Sequence, residues 1–209
     1  MAEKIDTPVR RTRSDGERSR AAILAAASKL ATVDGLEGLT IGRLADHIGM
    51  SKSGLYAHFG SKEELQLATI ASAEEVFGAD VVEPAQDAAP GLDRLQTLAD
   101  RFMVHVESGV FPGGCFFASV LGEFDTRPGR VRDRVAAFMG GWTRRLREQA
   151  VEAQARGQID EGEDIDQLVF EIQSSLLLAN TLWVLTESPE VFERARTAIS
   201  GRIARSRRN

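Results

Sequence analysis

A single cysteine, Cys115, stands in 209 residues. No disulfide within the chain and no cysteine-built zinc site can form. Three histidines and no HExxH leave a histidine-built zinc site without support. Aromatic residues make up 6% of the chain. No stretch alternates apolar and polar residues as a half-buried strand does, whereas Ala, Leu and Arg abound; this bias favours helix. Walker A, GxGxxG and GxSxG patterns are all missing, and no enzyme site is signalled. The acidic run Glu161-Gly162-Glu163-Asp164 lacks EF-hand spacing and reads as a turn leading into a helix start. Leu176 to Leu185 is the most apolar stretch, is interrupted by Asn180 and Thr181, and falls short of the ~20 residues a bilayer requires. Residues 1–20 are polar and carry both signs of charge, unlike a signal peptide. A cytoplasmic protein without a membrane partner is expected.

What is present is unevenly charged. Residues 1–60 carry nine Lys/Arg against seven Asp/Glu, while the whole chain has a formal net charge of −5. Arg10, Arg11, Arg13, Arg18 and Arg20 crowd one short segment. Opposite net signs in two parts of one chain suggest two roles, although a solvated basic tail would look the same.

Punctuation and periodicity predict an all-α protein. Residues 1–13 read as a flexible basic arm, and Ser14-x-x-Glu17 reads as a capping box opening the first helix, which Gly35 closes. Ile41, Leu44, Ala45 and Ile48 form one buried stripe after a Thr40 cap. Gly49 then breaks the chain, and Ser51 caps a short helix from Lys52 to His58. Ser61-x-x-Glu64 opens a longer helix to about Gly78, and Val82 to Gly91 reads as a loop. Five or so further helices follow. The expected units are 14–60 as a three-helix domain, 61–80 as a connecting helix, and 81–209 as a larger helical domain.

Thr40 to Phe59 has the layout of a helix-turn-helix, with Leu44, Ile48, Leu55 and Phe59 facing the core. Its second helix then offers its polar start to a DNA major groove. Lys52 and Ser53 suit bases or phosphates, and Gly54 allows close backbone approach. Tyr56 and His58 suit phosphate oxygens. Lys62, beside the helix start at Ser61, suits a phosphate clamp, and Thr40 can act likewise. Arg43 and Ser51 complete the candidate DNA contacts. His47 reads as a surface residue.

Residues 40–65, TIGRLADHIGMSKSGLYAHFGSKEEL, resemble the DNA-binding segment of TetR-family transcriptional repressors, most closely in LYAHFGSKEEL. The resemblance covers about residues 16–75. It implies that 14–60 is the helix-turn-helix DNA-binding domain and 81–209 the helical effector-binding and dimerisation domain, and that Lys52, Ser53 and Gly54 read bases while Thr40, Tyr56, His58 and Lys62 hold phosphates. A helical interaction module without sequence-specific DNA binding would explain the carboxyl-terminal half, but not this segment.

That resemblance also implies a small-molecule effector of unknown identity, no other cofactor, and a homodimer on a palindromic operator in double-stranded DNA. The expected pocket lining is Phe102, Met103, Phe116, Phe117, Phe138, Met139 and Trp142, with His105, Glu123 and Asn180 as polar groups. Taken singly, each apolar member reads more readily as ordinary core. Cys115 reads as buried packing. The helix over 164–187 is apolar nearly all round and so has two faces to bury. Leu168, Ile172, Leu176, Ala179 and Trp183, with Phe192, Ala195 and Ile199 of the last helix, form the expected dimer stripe.

Overall fold

The chain, as a computed structural model, is described over residues 9–124 and 128–207, with side chains from Gly16 onward; among them every regular element is helical. Helix α1 spans Val9–Asp34 and starts before the Ser14 box. VRRTR contains no helix breaker, and extending an existing helix is easier than nucleating one. Residues 9–13 therefore belong to α1 instead of the arm. Residues 1–8 of that arm, and the side chains of Arg10, Arg11 and Arg13, lie outside the described residues.

Helices α2 (Ile41–Ile48), α3 (Lys52–Phe59) and α4 (Lys62–Phe77) start where their caps predict. Thr40, Ser51 and Ser61 each accept the backbone N–H three residues on, from Arg43, Gly54 and Glu64. Gly49 sits at φ 69° between α2 and α3, a left-handed conformation that side chains with a Cβ resist.

Of the expected loop from Val82 to Gly91, residues 86–91 are turn, whereas its first four residues are helical. Gly78–Val82 form a π-helical turn that runs into α5, Glu83–Ala85. Pro84 is tolerated because the first turn of a helix needs no N–H from it. Arg101 donates to the Asp80 carbonyl at 2.9 Å, and His105 Nδ1 meets the Asp80 carboxylate at 2.8 Å. Both clamp the π-turn onto α6, Leu92–Glu107.

Helices α7 (Phe116–Phe124), α8 (Arg130–Ala155), α9 (Ile165–Thr186) and α10 (Glu190–Ser206) complete the chain. Helix α4 packs on both α1 and α8, and a single buried cluster runs from Ile23 to Ile203. Movement among the later helices is therefore felt by α1. Arg202 of α10 donates to Glu163 and Glu171, both at 2.5 Å, and pins α10 along α9. At 22 residues, α9 is longer than the apolar run suggested, and by length and composition alone it could cross a membrane. Its buried side packs within the chain.

Candidate nucleic-acid interface and ligand cavity

Helix α3 divides cleanly. Leu55 and Phe59 are buried, while Ser51, Lys52, Ser53 and Tyr56 face outward, Tyr56 with 61% of its surface exposed. Gly54 is half-buried beside the Ser51 cap, where a Cβ would crowd the Ser51 hydroxyl at 3.0 Å. Lys52 Nζ lies 3.8 Å from where a Cβ on Gly42 would stand, which brings the start of α2 beside the start of α3. Thr40, half-buried, spends its hydroxyl on the α2 cap. His58 is half-buried, with its ring tilted against Phe59 at 6.1 Å.

Several of the cations are already paired within the chain. Lys62 Nζ meets Glu37 at 2.8 Å, Arg43 meets Asp34 at 2.7 Å, and Lys52 loosely faces Asp46 at 3.7 Å. The first turn of α4 also carries acids at the expected phosphate clamp. Glu63 and Glu64 occupy it, and Arg130 of α8 binds both, at 3.1 and 2.7 Å. Acids suit that end of a helix dipole, so they stabilise α4 while offsetting its pull on anions.

By its sequence Arg20 is one charge in a basic segment. In the fold its guanidinium lies 4.6 Å from the centre of the Phe59 ring and donates to the His58 carbonyl at 3.1 Å. It thus closes the carboxyl end of α3. No local pattern could have assigned that role, because the partners are 38 positions apart.

Three of the expected pocket residues are spent inside the fold, Glu123 and Asn180 on backbone and His105 on a side chain. Glu123, at the end of α7, accepts the N–H groups of Leu36 and Glu37 at 3.0 and 2.9 Å, in the turn between α1 and α2. Gly35 of that turn lies so close that a Cβ would press on the Glu123 carboxylate. Asn180 of α9 accepts the Cys115 N–H at 2.7 Å, and Gly113 donates to the Thr32 hydroxyl of α1 at 3.2 Å. His105 is buried between Asp80, Phe77 and Phe111. Each of these polar groups takes up a backbone or side-chain hydrogen bond that burial would otherwise leave unmade.

The cavity itself is small and apolar. Phe102, Phe117, Phe138, Met139 and Trp142 line a void of about 10 Å³, while Met103 and Phe116 are buried core outside it. Phe77, Cys115, Ala118, Gln173, Leu176 and Leu177 complete the wall. Phe77 was legible, since Ile70, Ala73 and Phe77 continue one helical stripe of α4. Phe117 and Phe138 stack at 3.3 Å, and Phe77 meets Phe138 and Trp142 edge-on at 5.1 and 5.2 Å. Burial pushes the Cys115 thiol up to about 11, which removes its nucleophilic form.

The expected dimer stripe lies inside the subunit. Leu168, Ile172, Leu176, Ala179, Phe192, Ala195 and Ile199 are buried, and Trp183 packs on Phe192 at 5.1 Å. The outer face of α9 carries Phe170, Leu178 and Leu185, with 66%, 58% and 73% of their surface exposed. Those residues, seven or eight positions apart, form the second apolar side that periodicity predicts without distinguishing it from the first.

Residues 23–69 match the family model described as bacterial regulatory proteins, tetR family, and residues 91–199 match the tetracyclin repressor-like C-terminal domain. A TetR transcriptional regulator from Chloroflexus aurantiacus is 27% identical, with 92% of this chain and 98% of that one covered at a TM-score of 0.80. A TetR-family transcriptional regulator from Streptomyces coelicolor is 18% identical, with 97% and 98% covered at 0.77. AibR, solved in complex with isovaleryl coenzyme A and operator DNA, is 24% identical, with 89% and 97% covered at 0.70. Among curated proteins, none matches the chain.

Proposed function

The chain belongs to the TetR family of bacterial regulatory proteins, and from that premise we propose a homodimeric, cytoplasmic repressor released from a palindromic operator by a small molecule. Its role is regulatory and not catalytic. The observation that carries this reading is the division of α3. Its apolar residues anchor it, and Lys52, Ser53 and Tyr56 are exposed on the side that would meet a major groove.

Lys52, Ser53 and Gly54 are assigned to base edges. Tyr56 and His58 at the far end of α3, Arg43 and Thr40 on α2, Ser51, and Lys62 on α4 are assigned to phosphates. Phosphate contacts fix register, and base contacts discriminate between sequences. The intramolecular partners of Lys62 and Arg43 make these two contacts exchange reactions: a phosphate replaces a carboxylate.

The second subunit is assigned to the outer face of α9 and the groove between α9 and α10. That groove, about 380 Å³, is edged by Phe170, Ser174, Thr197, Ala198 and Gly201, whose mostly small side chains allow close approach. A two-fold dimer reads half-sites about 34 Å apart, one turn of duplex.

The effector is assigned to the aromatic cavity under α7 and α8. AibR carries isovaleryl coenzyme A in its solved complex, which supports a ligand seat in this fold without naming the ligand here. Selection of bound fragments from the source genome, followed by titration at several salt concentrations, tests the reading. A palindromic sequence bound with salt-dependent affinity is the expected result. Failure to enrich any sequence above bulk DNA would overturn it.

A further inference from the structure

The inner void and a larger outer cleft share three walls, Phe77, Phe138 and Trp142. The void measures about 10 Å³ and the cleft about 410 Å³. Phe138 stands between them, half-buried, with its ring stacked on Phe117. A π-helical turn and a glycine pair flank this point. Phe77 precedes the π-helical turn, and Gly140 and Gly141 follow Phe138 and Met139 within α8. Interrupted helices of this kind recur at functional sites, and glycine pairs loosen a helix.

We infer that Phe138 is a plug occupying the effector's own seat, and that the effector is an uncharged molecule with one aromatic ring and a single polar substituent. This rests on the effector reading above. The inner wall carries no ionised group. Gln173 and Cys115 are its polar members, and the rest are aromatic or aliphatic. A charged group entering there would lose its hydration without gaining a partner. Glu74, Glu83 and Arg145 line only the outer cleft, and Arg134 already holds Glu74. A cavity of roughly 150 Å³ accepts benzene, so the room vacated by one phenyl ring, joined to the void, suits one ring. Phe117 sits on α7, the helix whose Glu123 grips the α1–α2 turn. Unstacking Phe138 from Phe117 therefore acts on the DNA-reading end.

The test uses Phe138→Ala and Phe138→Leu in a Trp183→Phe background, which leaves Trp142 as the sole tryptophan of the chain's two. Benzyl alcohol, benzoate and benzyltrimethylammonium are titrated by calorimetry and Trp142 fluorescence into wild-type and variant dimers. A ring that must first displace a plug binds with an affinity reduced by the fraction of open protein. Benzyl alcohol is expected to bind F138A at least about tenfold tighter than wild type, with F138L between them. It should also perturb Trp142 and exceed both charged probes at least about tenfold. Equal affinity for wild type and variants, or a charged probe binding best, overturns the proposal. F138L keeps most of the apolar bulk and so keeps the comparison meaningful if F138A melts. Operator binding by the wild type is measured beside it. Its absence would sink the repressor reading, while the probe comparison would still decide the seat.

Discussion

Glu123 and Leu36 are joined across 87 positions of the chain: the carboxylate on α7 accepts the Leu36 N–H at 3.0 Å and takes the Glu37 N–H at 2.9 Å as well. Glu37 in turn binds Lys62 at 2.8 Å. A path of hydrogen bonds thus runs from α7, which helps wall the cavity, to the lysine at the start of α4. Glu123→Ala removes a charged acceptor from two backbone donors, at a cost of about 1–3 kcal/mol. The melting temperature should fall, and operator affinity should fall with it. Unchanged operator affinity in a folded E123A dimer would show that the path transmits nothing.

Lys62 and Glu37 make a second test. Lys62→Ala should weaken binding to every sequence and flatten the salt slope by about one unit. Glu37→Gln should strengthen binding, because the lysine no longer trades a carboxylate for a phosphate. Changes at Lys52 or Ser53 should instead alter which sequence is preferred. Titrations of operator and scrambled DNA at a series of salt concentrations separate these behaviours.

Arg20 never faces the groove in this scheme, yet it holds α3 by the His58 carbonyl and the Phe59 ring. Arg20→Ala should cost about 1 kcal/mol of stability. It should also weaken all DNA equally, with no change in sequence preference. Arg20→Lys should recover little, since an ammonium lacks the planar stacking face.

The two faces of α9 should respond oppositely. Phe170→Glu or Leu178→Glu, on the exposed face, is expected to yield folded monomers that have lost most operator affinity. Ile172→Glu buries a charge within the subunit and should prevent folding. Light scattering and circular dichroism read the two outcomes. A dimer surviving both surface changes would place the interface elsewhere.

His105 supplies a pH dependence. Burial holds its imidazole below the ordinary histidine range, although the hydrogen bond to Asp80 opposes that shift. The unfolded chain then binds this proton more readily than the folded one. Stability should be full above about pH 6.5 and decline as pH falls from there towards the folded value. His105→Gln should flatten this part of the profile when melting temperatures are compared between pH 5 and 8. An unchanged slope would assign the acid loss to other groups.

The starts of α2, α3 and α4 were legible because capping is local: Thr40, Ser51 and Ser61 each bond three residues ahead. The same holds for Leu55 and Phe59, whose i, i+4 spacing alone puts them on one face. The exposed positions of α3 were legible too, since they are those left over when its apolar ones are buried. The start of α1 and the π-turn were less so, because neither contains a residue that forbids the alternative.

The chain's own pattern therefore determined the helices, their caps and the division of α3 into an anchored side and a free side. Hydrogen bonds and apolar spacing within a turn or two suffice for that. Only the tertiary structure decided which side of α9 stays bare, that Glu123 and Asn180 hold backbone instead of a ligand, and that Phe138 fills the cavity. Those outcomes depend on which distant surfaces meet, and nothing in a local repeat distinguishes two apolar faces until packing has buried one of them.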